Sequence, residues 1–278
     1  MSDTERRADA TAPRAVAAGR LSAMDQVSML LARSIAFQIA FVLNAAIITI
    51  AFIPLFVLPR RTGVGPMKLW ASTSLFWLRV ICGTRIEVRG RENIPVQGAL
   101  IAAKHQAAWE TFALMPLMPD PVFILKRELF HLPLWGWYAR KFGMIGIDRS
   151  AGTKALSEIA EKGQAAIDAG RQVIIFPEGT RTAPGAAPAY KNGTAHLYHR
   201  LERPVVPVAL NSGLYWPRKT IRRHPGTIVV EFLPPIPPGM GLKAFRNKLV
   251  ETIETASDRL YVEGCRERGI TPEARGDS

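Results

Sequence analysis

The sequence predicts an α/β fold: a mostly parallel sheet flanked by helices, preceded by an N-terminal membrane-seating helical hairpin. Three observations predict it. Seven short β-rich runs follow one another from residue 84 onward, and helix-length segments with apolar residues three and four apart separate several of them. Ahead of them, Ile35 to Leu58 is a run of 24 residues without a charge.

Taken in order, residues 1–25 are polar, alanine-rich and of mixed charge, with no apolar face to bury, and read as a mobile tail. The uncharged run IAFQIAFVLNAAIITIAFIPLFVL comes too late for a signal peptide. At about 1.5 Å per residue it is long enough to cross a hydrocarbon layer of roughly 30 Å. A buried core helix would have the same composition. Pro54 is expected to bend it. Arg60, Arg61 and Lys68 follow it, against Arg20 and Arg33 before it, which favours a cytoplasmic catalytic part. A second apolar stretch, Leu69 to Cys82, is 14 residues long, carries Arg79 and two tryptophans, and suits an interfacial position. The expected divisions are a tail at 1–25, a membrane-associated hairpin at 26–83 and an α/β domain at 84–278.

The expected strands are TRIEVRG, GALIAAK, PVFIL, MIGID, QVIIF, VVPVAL and TIVVEFL, with helices over 152–169 and 190–201 between them. The proline-rich PPIPPG ends the last strand, and a final helix is expected from Leu242 to Val262.

Composition narrows the partners. The formal net charge is +13, and residues 1–34, with five basic and four acidic side chains, carry only one unit of it. Such an excess suits nucleic acid, an anionic lipid surface or a phosphate-bearing small substrate. No zinc-ligand spacing and no ribonucleoprotein-type aromatic motif accompanies it, so no nucleic-acid partner is expected. Cys82 and Cys265 have no pairing pattern and no histidines at metal spacing, which implies a reducing compartment and no metal. GMGLKA at 239–244 fits a loose dinucleotide pattern, but a polyproline loop separates it from the strand and no acidic ribose partner follows.

Four constellations carry candidate chemistry. In KHQAAWET, His105 follows a strand and Glu110 lies five residues on. Five positions apart on a regular helix would not meet. If His105 stands ahead of the first turn, Glu110 can reach back to it as a capping carboxylate does. The pair then reads either as a general base with its orienting carboxylate or as a helix-start histidine capped for stability. FPEGTRT, Phe176 to Thr182, has the texture of an anion site at a strand end, with backbone N–H groups exposed at Gly179 and Arg181 gripping phosphate. An ordinary turn with a surface ion pair fits it equally. In FGMIGIDR, Asp148 and Arg149 close a strand and fit a structural salt bridge or a substrate contact. VVPVALNSG contains Pro207, which implies an edge, a bulge or a wall against a cavity.

In this order and at these separations, the histidine with its acidic partner, then GxIxIDR, FPEGTR and the VVPV strand, resemble the glycerolipid acyltransferase family of 1-acyl-sn-glycerol-3-phosphate acyltransferases, over residues 84 to 235. The N-terminal apolar hairpin is similar to the two-helix membrane motif of bacterial members. The resemblance implies that 84–278 is an acyltransferase domain and that His105 is the general base. Glu110 stands where the family has aspartate, giving HxxxxE. It also implies that Arg149, Glu178, Gly179 and Arg181 line the site for the acceptor's phosphate, that Lys126 belongs to the same positive tunnel, and that Pro207 packs beside it. The reaction it implies is transfer of a fatty acyl group from acyl-CoA or acyl carrier protein to lysophosphatidic acid, at the cytoplasmic face of the inner membrane.

The residues can support that chemistry without a cofactor. A thioester is already activated, and there is no GxSxG elbow to form an acyl-enzyme. The expected partners are a lysolipid acceptor, the thioester donor and an anionic membrane surface. RKTIRRH, residues 218–224, and Arg140 with Lys141 are candidate anchors for anionic groups. Three readings compete: another acceptor such as a lyso-ornithine lipid, a membrane-anchored nucleic-acid-binding module, and a catalytically dead scaffold.

Overall fold

A computed structural model describes residues 23–132, 135–148 and 152–272. The chain opens with helix α1 (Ala23–Ala51), then a 3-10 turn at Ile53–Val57, a second at Arg60–Gly63, and helix α2 (Val64–Trp77). The α/β part follows as β1 (Thr84–Arg89), β2 (Ala99–Ala103), α3 (Glu110–Ala113), β3 (Pro121–Lys126), α4 (Trp135–Lys141), β4 (Ile145–Ile147) and α5 (Gly152–Asp168). It ends with β5 (Gln172–Ile175), α6 (Gly193–Leu201), β6 (Val205–Leu210), α7 (Ser212–Tyr215), β7 (Gly226–Phe232) and α8 (Leu242–Arg268).

Each of the seven β-rich runs is a strand, and among the described residues they form one sheet in the order β1-β7-β6-β2-β5-β3-β4. All neighbours pair parallel except β6 and β7. Strands β6, β2, β5, β3 and β4 therefore share one direction, and β1 and β7 run against them. Pro207 sits in the interior of this sheet, neither at an edge nor at a bulge. The β6/β7 register carries it opposite Leu233, whose N–H donates to the Pro207 carbonyl at 2.9 Å. The missing N–H thus falls at the last rung of that ladder, where PPIPPG turns away.

Helices cover both faces, which is why the strands read as nearly continuous apolar runs. Leu100, Ala102, Val122, Val173 and Val205 face α5, α6 and α8 through Ile159, Leu197, Phe245, Leu249 and Ile253. Ile101, Ala103, Ile174, Val206, Val208, Ile228 and Val230 face the hairpin and the α3 region, through Phe37, Ala71, Leu78, Cys82, Trp109 and Phe112. The boundary expected at residue 83 is thus a turn within one core, and the hairpin is the second helical layer of the α/β fold. The arrangement is a mostly parallel α/β sheet flanked by helices, with an apolar N-terminal helix.

Several element ends differ from expectation for local reasons. Helix α1 is already helical at Ala23, inside the expected tail, and residues 1–22 lie outside the described residues. It stops at Ala51 instead of bending at Pro54, because that proline lacks the N–H and crowds the preceding turn. Helix α2 starts at Val64 and accommodates Pro66 in its first turn, and one π-helical turn, Leu78–Cys82, carries it to Gly83 at φ 72°. The segment before α6 is held out of the helix at Lys191, whose N–H donates to the Pro177 carbonyl. Helix α8 runs past Val262 to Arg268, because buried Gly264 and Cys265 continue its apolar face until Gly269 closes it.

Only 11% of the most apolar window of α1 is buried. That removes the core-helix reading, since Ile39, Leu43, Ile47 and Ile50 all point out of the protein. The opposite stripe is fastened by polar contacts as well as by packing. The Asn44 amide donates to the Trp70 carbonyl and the Ser74 hydroxyl, and Thr73 donates back to Asn44. Arg60 grips Asp120 with two bonds of 3.0 and 2.9 Å, and the Arg171 Nε lies 3.2 Å from the same carboxylate. Burial acts to raise the Asp120 pKa, but the two guanidinium groups outweigh it and hold the carboxyl below its usual range.

Two outcomes follow for stability. Phe37→Ala removes a fully buried ring that meets Trp216 edge-on, and it should cost about 3–5 kcal/mol in a denaturant titration. Asp120→Ala should cost about 2 kcal/mol at neutral pH, a value reduced for the partial exposure of the pair. Because the folded pKa is depressed, the wild-type advantage is full above roughly pH 4 and disappears as pH falls through the folded value.

Candidate active site

The shared direction of five strands brings their carboxyl ends to one edge, where α/β sheets build their sites. His105 emerges there from β2, FPEGTRT from β5, and NSGLYW from β6, while Lys126 closes β3 and Asp148 follows β4. Arg149 lies outside the described residues.

Strand parity aims the two residues that leave β2. Leu100, Ala102 and Lys104 share the α8 face, and Ile101, Ala103 and His105 share the hairpin face. The His105 imidazole stacks on Phe176 with centroids 4.1 Å apart and planes 18° apart. Its backbone carbonyl accepts the Thr182 N–H at 2.8 Å, which stitches the β2 loop to the FPEGTRT turn. The side chain keeps 14% exposure, and Nδ1 is buried without a hydrogen-bond partner among the described residues. Nδ1 lies 3.6 Å from Glu110 Oε1, longer than a hydrogen bond, so the remaining exposure belongs to the rest of the ring.

Glu110 opens α3 and is fully buried. Its carboxylate turns back on the loop and accepts the N–H groups of Gln106 and Ala107, the latter at 2.8 Å. These bonds fix the carboxylate before any contact with His105 is made. Gln106 adds a second tie, accepting the Gly213 N–H of α7 at 3.0 Å. The chemistry available is that of a general base whose inner nitrogen faces a fixed carboxylate.

The FPEGTRT turn departs from its expected form at two positions. The Gly179 N–H is not free for an anion, because it donates to the Phe176 carbonyl at 2.9 Å. Glycine is required there by φ 66°, since an added Cβ would touch nothing closer than 3.6 Å. Glu178 does not line an open surface. It is fully buried, with Oε1 2.8 Å from the Lys104 ammonium, and burial pushes its pKa up against the pull of that ammonium. Arg181 and Lys126 are exposed. The Arg218 guanidinium donates to the Arg181 carbonyl and brings the basic 218–224 loop beside the turn.

That loop is only partly a surface cluster. Arg223 is buried with its guanidinium 3.9 Å above the Trp216 ring, and burial lowers its pKa to about 10. Lys141 is likewise occupied, donating to the Phe56 and Leu58 carbonyls at the end of the hairpin. Asp148 lies 3.8 Å from Arg127, a long contact between exposed groups.

Beside the site, a cavity of about 420 Å³ separates the hairpin from the sheet edge. Val42, Trp70, Met115, Phe123, Leu125 and Met144 are among the apolar side chains lining it. The Phe123 ring lies 6.3 Å from Phe176, the ring that carries His105, so the cavity approaches the imidazole through one aromatic layer. Sequence reasoning did not single out Lys104, Tyr190 or Glu254. The one available signal was a lysine at the end of an apolar run, and its partners lie far along the chain.

A family model described as Acyltransferase matches residues 85–211. The chain is 40% identical over 161 residues to the 1-acyl-sn-glycerol-3-phosphate acyltransferase of Pseudomonas aeruginosa, covering 58% of this chain and 63% of that relative. It is 31% identical over 195 residues to the alpha enzyme of the same name from Mus musculus, covering 67% and 68%. The match thus spans a little under two thirds of the length of the bacterial relative. In three dimensions the chain is similar to the crystal structure of the 1-acyl-sn-glycerophosphate (LPA) acyltransferase PlsC from Thermotoga maritima, with a TM-score of 0.68. That likeness covers 82% of this chain and 97% of the other at 21% identity, and it concerns the fold.

Two substitutions test how the site is held. Gly179→Ala should cost about 1–2 kcal/mol in a thermal melt, from the left-handed backbone alone. Glu110→Ala orphans two buried N–H groups and should cost about 1–3 kcal/mol, with Glu110→Gln milder because it keeps an acceptor.

Proposed function

Because the chain belongs to the acyltransferase family that includes the 1-acyl-sn-glycerol-3-phosphate acyltransferases, we propose that it transfers a fatty acyl group from an acyl thioester to lysophosphatidic acid. The donor is acyl-CoA or acyl carrier protein, and the product is phosphatidic acid. The observation that carries the reading is the pair between β2 and α3, with half-buried His105 placing Nδ1 3.6 Å from a Glu110 carboxylate already fixed by backbone N–H groups.

In the reaction, Nε2 of His105 takes the proton of the lysolipid hydroxyl as its oxygen attacks the thioester carbonyl. Glu110 closes on Nδ1, holds the tautomer and stabilises the imidazolium, contacts that tighten in the substrate complex. The tetrahedral intermediate collapses, the C–S bond breaks, and the imidazolium returns the proton to the leaving thiolate. Backbone or cationic donors near Lys126 and Arg149 meet the oxyanion. Arg181 and Lys126 attract the acceptor phosphate, while Glu178 and Gly179 shape the turn that presents Arg181. The acyl chain lies in the apolar cavity between the hairpin and the sheet.

The outward face of α1 supports a membrane seat, with Trp135 and Trp137 exposed on α4. A seat there lets a lysolipid reach His105 without leaving its leaflet. The proposed location is the cytoplasmic face of the inner membrane.

The test is transfer of a labelled acyl group by the purified protein in mild detergent, with lysophosphatidic acid and lyso-ornithine lipid as acceptors. Transfer to lysophosphatidic acid should fall about 10³-fold in His105→Ala. In Arg181→Ala the acceptor KM should rise about tenfold with a smaller change in kcat. Preference for the ornithine lipid would replace the acceptor, and no transfer to either by folded protein would sink the reading.

A further inference from the structure

Lys104 is the unusual residue of the sheet edge. It is the neighbour of His105, it is 2% exposed, and its ammonium lies between two carboxylates from distant parts of the chain. Glu178 Oε1 is 2.8 Å away and Glu254 Oε1 is 2.6 Å away, and the Tyr190 hydroxyl donates to the same Glu254 oxygen at 2.8 Å. Glu254 lies on α8, beyond the 85–211 region that the family model matches. All four side chains are buried, so none of these contacts is diluted by water.

Strand parity gives this cluster its reach. Because Lys104 and His105 point to opposite faces, a tether on the Lys104 side chain fixes the backbone from which the imidazole projects. The Lys104 N–H is bonded to the Val208 carbonyl at 2.9 Å, and the His105 carbonyl to the Thr182 N–H at 2.8 Å. The ammonium is the third anchor, and it also holds Glu178 in the turn that carries Arg181. We propose that Glu254 is a positioning residue for His105 and the FPEGTRT turn, acting from the C-terminal helix through the buried ammonium of Lys104.

The charge count supplies a signature that packing alone lacks. One ammonium faces two carboxylates, so a proton entering the cluster as pH falls weakens the Lys104–Glu178 tie. Around Glu178 the charged and hydrogen-bonding groups are Lys104 from β2, Glu254 from α8 and Thr182 from its own turn. Tyr190 sits one contact further, on Glu254. Burial, and to a lesser degree the Glu254 charge, push the Glu178 pKa up, so removing that charge lets Glu178 stay ionised to lower pH.

The inference rests on the acyltransfer reading, and the test compares Glu254→Ala and Glu254→Gln with wild type in the full chain. In Glu254→Ala, kcat should fall tenfold or more with the acceptor KM within about threefold of wild type. Glu254→Gln keeps an acceptor for Lys104 and Tyr190. It should recover kcat to within about threefold and move the acid limb of the pH–rate profile to lower pH. A folded Glu254→Ala with unchanged kcat, or a Glu254→Gln profile whose acid limb stays or rises, overturns the proposal. If the alanine variant does not fold, the acid limb of the glutamine variant decides. Should wild type transfer to neither acceptor, the substrate reading fails on its own. The positioning claim is then judged by diethyl pyrocarbonate modification of His105, read by mass spectrometry. A threefold or larger change of rate in Glu254→Ala, with His196 and His199 unaffected, supports it, and an unchanged rate overturns it.

Discussion

A parallel strand covered by helices on both faces can place a charge only at its ends, and the chain leaves the carboxyl end of β2 through Lys104 and His105. Everything else at the sheet edge follows from how those two side chains are accommodated. Parity sends the lysine toward α8, where burial demands carboxylates, and the histidine toward the hairpin, where it finds Phe176 and Glu110. A buried ammonium without partners would destabilise the fold by several kcal/mol. The partners it has come from the β5 loop and from the last helix, so the demand for charge compensation gathers segments separated by 150 residues.

The same strand parity makes the hairpin part of the fold. Apolar side chains on the hairpin face of the sheet need cover, and α1, α2 and the π-helical turn after it supply it with Phe37, Ala71 and Leu78. The outer stripe of α1 is then left apolar and exposed, a surface that water penalises and lipid does not. One layer thus closes the core on its inner side, presents a lipid-compatible surface on its outer side, and leaves a cavity leading toward His105.

Glu110, five residues after His105, takes its hydrogen-bond partners from the loop between them. From the first residue of α3, its side chain is long enough to turn back across the loop and bond two N–H groups there. The carboxylate is fixed by the backbone, and it remains beside Nδ1 at 3.6 Å. A carboxylate held this way stays in place next to Nδ1, and only a small closure of that separation brings the two within hydrogen-bond reach.

The strands, the mostly parallel class of the sheet and the approximate helices were legible from local pattern: apolar runs of strand length, breaks at glycine and proline, and helical periodicity between, whereas the reversal of β1 and β7 was not. The ends that differed are those where a contact from elsewhere overrides the local pattern, such as Lys191 bonded to Pro177 ahead of α6. His105 with Glu110, and Arg181 within FPEGTRT, could be singled out because each belongs to a short motif directly after a strand. The opposite held for Glu178 and Gly179, whose expected contact with solvent was replaced by a buried ammonium and a turn hydrogen bond.

By itself the sequence determined the α/β class, the apolar character of the N-terminal segment and the residues at the ends of β2 and β5. Only the tertiary structure decided that the hairpin is a layer of the core, that α1 is apolar yet exposed, and that Lys104 answers to Glu178 and Glu254. The physical reason is range. Backbone hydrogen bonding and side-chain periodicity act over a few residues and leave their mark in local order. Compensation of a buried charge depends on which distant carboxylates the topology brings within 3 Å, and no local pattern records that.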